Sequence, residues 1–178
     1  MSRAIHSIAT AVALTALAGC GGSVRRPDGG DGLLAAGAPA PDFAAVDAAG
    51  SPVQLTSSRG APTVVFFYPK DESPGCTKEA CAFRDAWDKL GAAKVTVFGI
   101  SRDSAESHAL FREKYHLPFP LAADSNGEIS RAYGVKSTLG MTARVTFLVG
   151  PDGRIAKVYP DVDPALHVSE LLADVTAL

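Results

Sequence analysis

From residue 42 onward the apolar positions fall into runs whose spacing alternates between strand-like and helix-like. Residues 43–46 and 53–55 flank an Ala49-Gly50 turn and predict a small hairpin. Residues 63–68, Thr-Val-Val-Phe-Phe-Tyr, are continuously β-branched or aromatic, which predicts a buried central strand ended by Pro69. Residues 73–90 predict one helix, with Ser73 as N-cap, Pro74 at the first helical position and Gly91 at the far end. Residues 95–100 predict a second buried strand. Residues 104–115 predict a helix with Ala105, Leu110, Phe111 and Tyr115 on its inner face. The prolines in Leu117-Pro118-Phe119-Pro120-Leu121 exclude a helix and predict a short extended piece, followed by a short helix over 128–133. Residues 144–149 and 155–159 pair across Pro151-Asp152-Gly153, and residues 164–178 close the chain as an amphipathic helix. Strands alternating with helices, then a late hairpin, predict an α/β domain built on a mixed central sheet with helices on both faces.

The length of 178 residues suits one domain with a real core. A formal charge of −2 gives no reason to expect a nucleic-acid partner. His6, His108, His116 and His167 form no close cluster with metal-ligand spacing, and no Gly-rich phosphate loop follows a strand. No metal or cofactor is expected. The first residues have their own pattern: Arg3, an apolar run over 8–17, then Leu17-Ala18-Gly19-Cys20. That run is too short to span a bilayer and fits the apolar region of a signal peptide. The Leu-Ala-Gly-Cys ending resembles a bacterial lipoprotein box. It implies a signal peptide over 1–19, lipid on Cys20, and a membrane anchor on the periplasmic side of the cell envelope. Residues 20–38, rich in Gly and Ala, are expected as a flexible tether, with the folded domain over 39–178. If Cys20 carries lipid, the odd count of three cysteines leaves Cys76 and Cys81 as a pair.

Cys76 follows a Ser73-Pro74-Gly75 turn, in the first turn of the predicted helix. A sulfur there faces backbone N–H groups without helical partners and the positive end of the helix dipole, which favour the reactive thiolate. Pro74 removes one N–H, and Gly75 permits close approach to the backbone. A Ser73 hydroxyl spent on capping would have fewer directions left for a substrate. Cys81 lies five residues on, so an intact helix separates the two Cα atoms by about 8–9 Å. A disulfide needs roughly 4.4–6.8 Å. Three readings follow: a pair that closes only when the helix locally unwinds, a structural disulfide with no regular helix here, or two inert thiols.

Pro69, Ser73 and Cys76 form a Pro-x-x-x-(Thr/Ser)-x-x-Cys arrangement. Together with Gly75-Cys76-Thr77-Lys78-Glu79-Ala80-Cys81, it closely resembles the peroxiredoxins of the bacterioferritin comigratory (Q) type. The likeness runs through residues 98–104 (Phe-Gly-Ile-Ser-Arg-Asp-Ser), 117–121, 133–135 (Tyr-Gly-Val) and 144–149 with Asp152-Gly153. The resemblance implies a thioredoxin-like fold and an atypical two-cysteine thiol peroxidase, recycled by a thioredoxin-type reductant and tending towards a monomer. It implies that Cys76 attacks a hydrogen or organic peroxide, that Ser73 positions the peroxide, and that Pro69 shields the pocket. It further implies that Arg144 stabilises the sulfur and the developing oxyanion, that Glu79 orients the arginine, and that Cys81 condenses with the Cys76 sulfenic acid. Serine at 73 departs from the commoner threonine. An anchor outside the cytoplasm implies that the reductant is an envelope thiol protein. Three other readings fit parts of the chain. An envelope thiol–disulfide oxidoreductase usually carries Cys-x-x-Cys, which this chain lacks, and a copper-binding assembly factor has only His108 and His167 to offer. A non-enzymatic lipoprotein with a structural disulfide leaves the Ser-Pro-Gly-Cys turn and Arg144 unexplained.

Overall fold

The computed structural model describes residues 24–47 and 50–178. The expected signal peptide and Cys20 lie outside the described residues, as do Ala48 and Ala49 of the first hairpin's turn. That hairpin pairs β1 (Ala44–Val46) with β2 (Pro52–Gln54), antiparallel. The central sheet is built from β3 (Thr63–Phe67), β4 (Thr96–Ser101), β5 (Leu121–Ala123) and, after two short strands described below, the late hairpin of Val145–Val149 and Ile155–Tyr159. Every residue of β3 is buried, which is why it reads as an unbroken apolar run rather than an alternation.

Between the strands lie α1 (Pro74–Asp85), α2 (Trp87–Ala92), α3 (Ala105–Tyr115) and α4 (Glu128–Ala132). Two-residue strands β6 (Ser137–Thr138) and β7 (Met141–Thr142) form a small hairpin that the sequence pattern did not predict. Its turn places Leu139 and Gly140 at φ of 52° and 77°. The late hairpin is then β8 (Val145–Val149) and β9 (Ile155–Tyr159), and α5 (His167–Val175) closes the chain. The sheet order is β5-β4-β3-β8-β9, with β3, β4 and β5 parallel and β8 antiparallel to both its neighbours. This is the expected thioredoxin-like α/β arrangement.

Alternation along β3 divides the core. Val64 and Phe66, with Tyr68 beyond the strand end, face Phe83 of α1, Leu90 of α2, Phe111 of α3 and Leu171 of α5. Phe66 stacks on Phe83 with ring centroids 4.8 Å apart. Val65 and Phe67 face the other way, towards Leu34, Phe43, Val53, Tyr133 and Val135. The second face is thus covered chiefly by the first hairpin, the short α4 and an N-terminal segment.

Three expectations are corrected. The single helix over 73–90 is two helices broken at Ala86, whose N–H still bonds the Ala82 carbonyl, so neither proline nor glycine marks the break. On α3 the inner face is carried by His108 and Phe111, while Leu110 is 65% exposed. Position 110 lies about 200° around the helix from 108, so burying the histidine turns the leucine to solvent. The third concerns the tether. Residues 24–38 lie against the domain: Leu34 is 6% exposed in the second core face, and its N–H bonds the Tyr133 carbonyl at 3.2 Å. Gly37 donates to the Ile155 carbonyl at 2.7 Å, and Arg154 donates back to Gly37. Gly134 makes this approach possible. Its φ is +71°, and a Cβ there would fall 1.8 Å from the Gly32 carbonyl oxygen. The folded domain therefore begins well before residue 39. Leu34→Ala is expected to lower unfolding stability by about 2 kcal/mol, measured by urea denaturation. An unchanged midpoint would mean that this segment does not dock.

Candidate active site

The register that sets Phe67 opposite Val145 brings the residue before β8, Arg144, to the end of β3, where the loop to α1 departs. Arg144 reaches over the first turn of α1 and donates from Nη2 to the Cys76 sulfur at 3.2 Å. Its Nη1 donates to Glu79 Oε2. Glu79 stands three residues after Cys76, on the same side of α1, and is fully buried. Gly75 leaves space for the guanidinium: a Cβ there would sit 3.2 Å from Arg144 Nη2. The approach that Gly75 was expected to permit is thus already used by Arg144.

The three groups form one electrostatic unit. Burial pushes the Glu79 carboxyl up to about 7, against the opposing pull of Arg144. Glu79 Oε1 has no hydrogen-bond partner among the described residues. Arg144 is raised above its ordinary value: burial opposes this, and the charges of Glu79 and Cys76 outweigh it. A cation 3.2 Å from the sulfur stabilises negative charge there. Two residues along β8, Thr146 Oγ1 lies 2.9 Å from Nε2 of the buried His167. Burial first, and then the Arg144 charge, push His167 down to about 4, so it stays neutral beside the guanidinium.

Ser73 is the N-cap of α1 by its backbone, yet its hydroxyl makes no capping bond. It donates instead to the Lys70 carbonyl at 3.0 Å, which leaves its lone pairs for another partner. The first helical donor is Thr77, bonded to the Ser73 carbonyl at 2.9 Å, so Gly75 and Cys76 carry N–H groups with no helical acceptor. Pro69 is half-buried where β3 ends and, lacking an N–H, contributes shape alone. Cys76 is buried, Cys81 is half-buried, and both are free thiols on an unbroken helix. The structure therefore joins Cys76, Arg144 and Glu79, sets Ser73 and Pro69 on the loop leading to them, and keeps Cys81 apart. Arg84 on α1 pairs with Asp85 at 2.8 Å. It also donates to the Tyr115 carbonyl at 2.8 Å and counts the Cys81 sulfur among its electrostatic partners.

Sequence reasoning missed a second set of groups beneath the loop. Asp71 accepts from the Tyr68 hydroxyl at 2.7 Å and the Ser107 hydroxyl at 2.7 Å, and it pairs with His108 Nδ1 at 2.9 Å. Burial alone would raise the Asp71 carboxyl, but bonds from His108, Tyr68 and Ser107 hold it below its ordinary value. The available signal was His108 itself, three residues before Phe111 and hence on the buried face, where a histidine needs a partner.

The AhpC/TSA family model matches residues 36–158. Over 139 residues the chain is 44% identical to the chloroplastic peroxiredoxin Q of Sedum lineare, covering 76% of this chain and 75% of that one. It is 41% identical over 143 residues to a putative peroxiredoxin bcp of Coxiella burnetii, covering 76% and 95%. Among solved structures, peroxidoxin BcpB of Mycobacterium tuberculosis superposes with a TM-score of 0.76 at 32% identity, over 80% of this chain and 97% of that one. Peroxiredoxin Q of Xanthomonas campestris gives 0.74 at 31% identity, over 80% and 97%. The site geometry and these likenesses agree, and the chain belongs to the AhpC/TSA family and, within it, to the peroxiredoxin Q type.

Proposed function

We propose that this protein is a thiol peroxidase in which Cys76 reduces hydrogen peroxide and organic hydroperoxides. Family membership supports the activity class, and one observation carries the assignment to a residue: the Arg144 guanidinium held between the buried Cys76 sulfur and the buried Glu79 carboxylate. The Cys76 thiolate attacks the terminal oxygen of the peroxide. An S–O bond forms as the O–O bond breaks, giving a sulfenic acid and an alkoxide or hydroxide that leaves protonated as alcohol or water. Negative charge passes from sulfur to the departing oxygen, so donors fixed beforehand around both atoms lower the barrier. Arg144 supplies them, together with the unpaired N–H groups of Gly75 and Cys76. Ser73 orients the peroxide through its hydroxyl, and Pro69 shields the pocket.

The Cys81 thiolate then attacks the sulfenic sulfur. An S–S bond forms, the S–O bond breaks, and hydroxide leaves as water. The helix geometry requires α1 to unwind locally for this step. Two electrons from a thioredoxin-like protein of the envelope return the disulfide to thiols. Lipid on Cys20 holds the enzyme at the membrane there. Incorporation of an alkyne fatty acid in a bacterial host, lost in Cys20→Ser, is the expected result; wild-type protein without label contradicts the anchor.

Trp87 lies two residues past the end of α1, packed against Phe119 at 6.0 Å, and is placed to report unwinding. Stopped-flow fluorescence of the reduced protein with hydrogen peroxide is expected to show two phases. Cys76→Ser should abolish both, and Cys81→Ser should retain only the first. Mass spectrometry of the wild type after one equivalent of peroxide should find Cys76 linked to Cys81. Thiols that ignore peroxide yet exchange with disulfides would instead indicate an oxidoreductase.

A further inference from the structure

The loop over residues 69–73 has no regular structure of its own, yet it carries Ser73 to the mouth of the site. Three elements hold it through one residue, two by its side chain and one by its backbone N–H. Asp71 is 5% exposed and takes bonds from Tyr68 at the end of β3 and from Ser107 and His108 on α3, each between 2.7 and 2.9 Å. Its N–H donates to Asp103 Oδ2 at 2.9 Å, and the same oxygen accepts from Ser101 Oγ at the end of β4 at 2.7 Å. Ser101 and Asp103 thus hold this loop from inside the Phe-Gly-Ile-Ser-Arg-Asp-Ser segment.

The next residue is backbone-strained. Glu72 has φ of 59°, the left-handed region that disfavours a side chain, and its carboxylate pairs with Lys114 of α3 at 2.6 Å. A strained residue persists where its neighbours fix it on both sides. On one side is the Asp71 cluster; on the other, Ser73 donates back to the Lys70 carbonyl. His108 is fully buried, and its Nε2 has no partner among the described residues, so the ring is kept in place at a cost that packing alone does not explain.

Among the described residues, no hydrogen bond links this cluster to Cys76, Arg144 or Glu79. The two networks are joined along the chain from Asp71 to Cys76 and by the apolar core that holds both Tyr68 and Cys76, not by hydrogen bonds among the described residues. One sets the charge around the sulfur; the other sets where the loop, and with it Ser73, stands. We propose that Asp71 and His108 are positioning residues for the peroxide, fixing the 69–73 loop so that Ser73 aims the O–O bond at the Cys76 sulfur, without themselves activating that sulfur. This rests on the function proposed above.

The separation gives a readout that a purely structural role would not move. Peroxide attack needs a substrate aligned to within a fraction of an ångström, whereas alkylation by iodoacetamide needs only an accessible thiolate. Both second-order rate constants for Cys76 are measured in a Cys81→Ser background. In Asp71→Asn and in His108→Ala, the ratio of the hydrogen peroxide constant to the iodoacetamide constant is expected to fall about 10-fold or more. His108→Asn, which can place an amide N–H where Nδ1 stands, should recover most of it. Because each ratio comes from the same folded molecules, a lower melting temperature does not affect it; should Asp71→Asn fail to fold, the His108 pair decides alone. A ratio unchanged from the parent, or no difference between His108→Ala and His108→Asn, overturns the proposal. If the parent sulfur itself shows no preference for peroxide, the peroxidase reading fails and this one with it; a preference that the variants retain defeats this one alone.

Discussion

A carboxylate with no exposed surface constrains this whole molecule. Removing a charged Glu79 from water costs several kcal/mol, returned only by a well-placed cation. That cation is Arg144, which stands at the start of β8 while Glu79 stands on α1. Helix and sheet are therefore bound at this one place in a fixed relation. Arg144 has a second amino group on its planar fork, and with Nη1 committed to Glu79, Nη2 falls on the Cys76 sulfur. Gly75 and the neutral His167 follow from the same need, one leaving room for the guanidinium and the other withholding a competing charge.

The pair is also a stability cost that grows with pH. Burial raises Glu79 in the folded state to about 7, above its unfolded value near 4.5. Its contribution is fully favourable below the unfolded value, when the folded protein binds the proton more tightly, and is lost as pH rises through about 7. The ionised pair thus forms fully where it stabilises the fold least. That cost is consistent with the role proposed for the pair at the sulfur. In the mechanism proposed above, unwinding of α1 would break this pair as well as the first helical turn, which would couple disulfide closure to loss of the guanidinium from the sulfur. The helix that would unwind runs from the loop held by Asp71 to the break at Ala86.

Much of this was legible from residue order. The unbroken apolar run at 63–68, the Pro151-Asp152-Gly153 turn and the Ser-Pro-Gly-Cys start of α1 each have a local cause, and each predicted its element. What escaped has causes distant in sequence. Arg144 and Cys76 are 68 residues apart, and only the β3–β8 register joins them; the family resemblance, not spacing, pointed to the pair. Leu110 was expected inside because hydropathy ranks it above His108, but Asp71, 37 residues away, recruits the histidine. Residues 24–38 have a linker's composition, yet they dock through backbone bonds and a glycine contact, which composition does not encode.

The central claim is that Glu79 acts on Cys76 only through Arg144, and a double-mutant cycle on the hydrogen peroxide rate constant tests it most directly. The measurement compares wild type, Arg144→Met, Glu79→Gln and the double variant at pH 8, where Glu79 is ionised. Arg144→Met is expected to slow the reaction about 100-fold and Glu79→Gln about 10-fold. The double variant should be no slower than Arg144→Met, because with the arginine gone the carboxylate has nothing to position. Losses that multiply in the double variant would contradict the account and show that the two residues act on the sulfur separately.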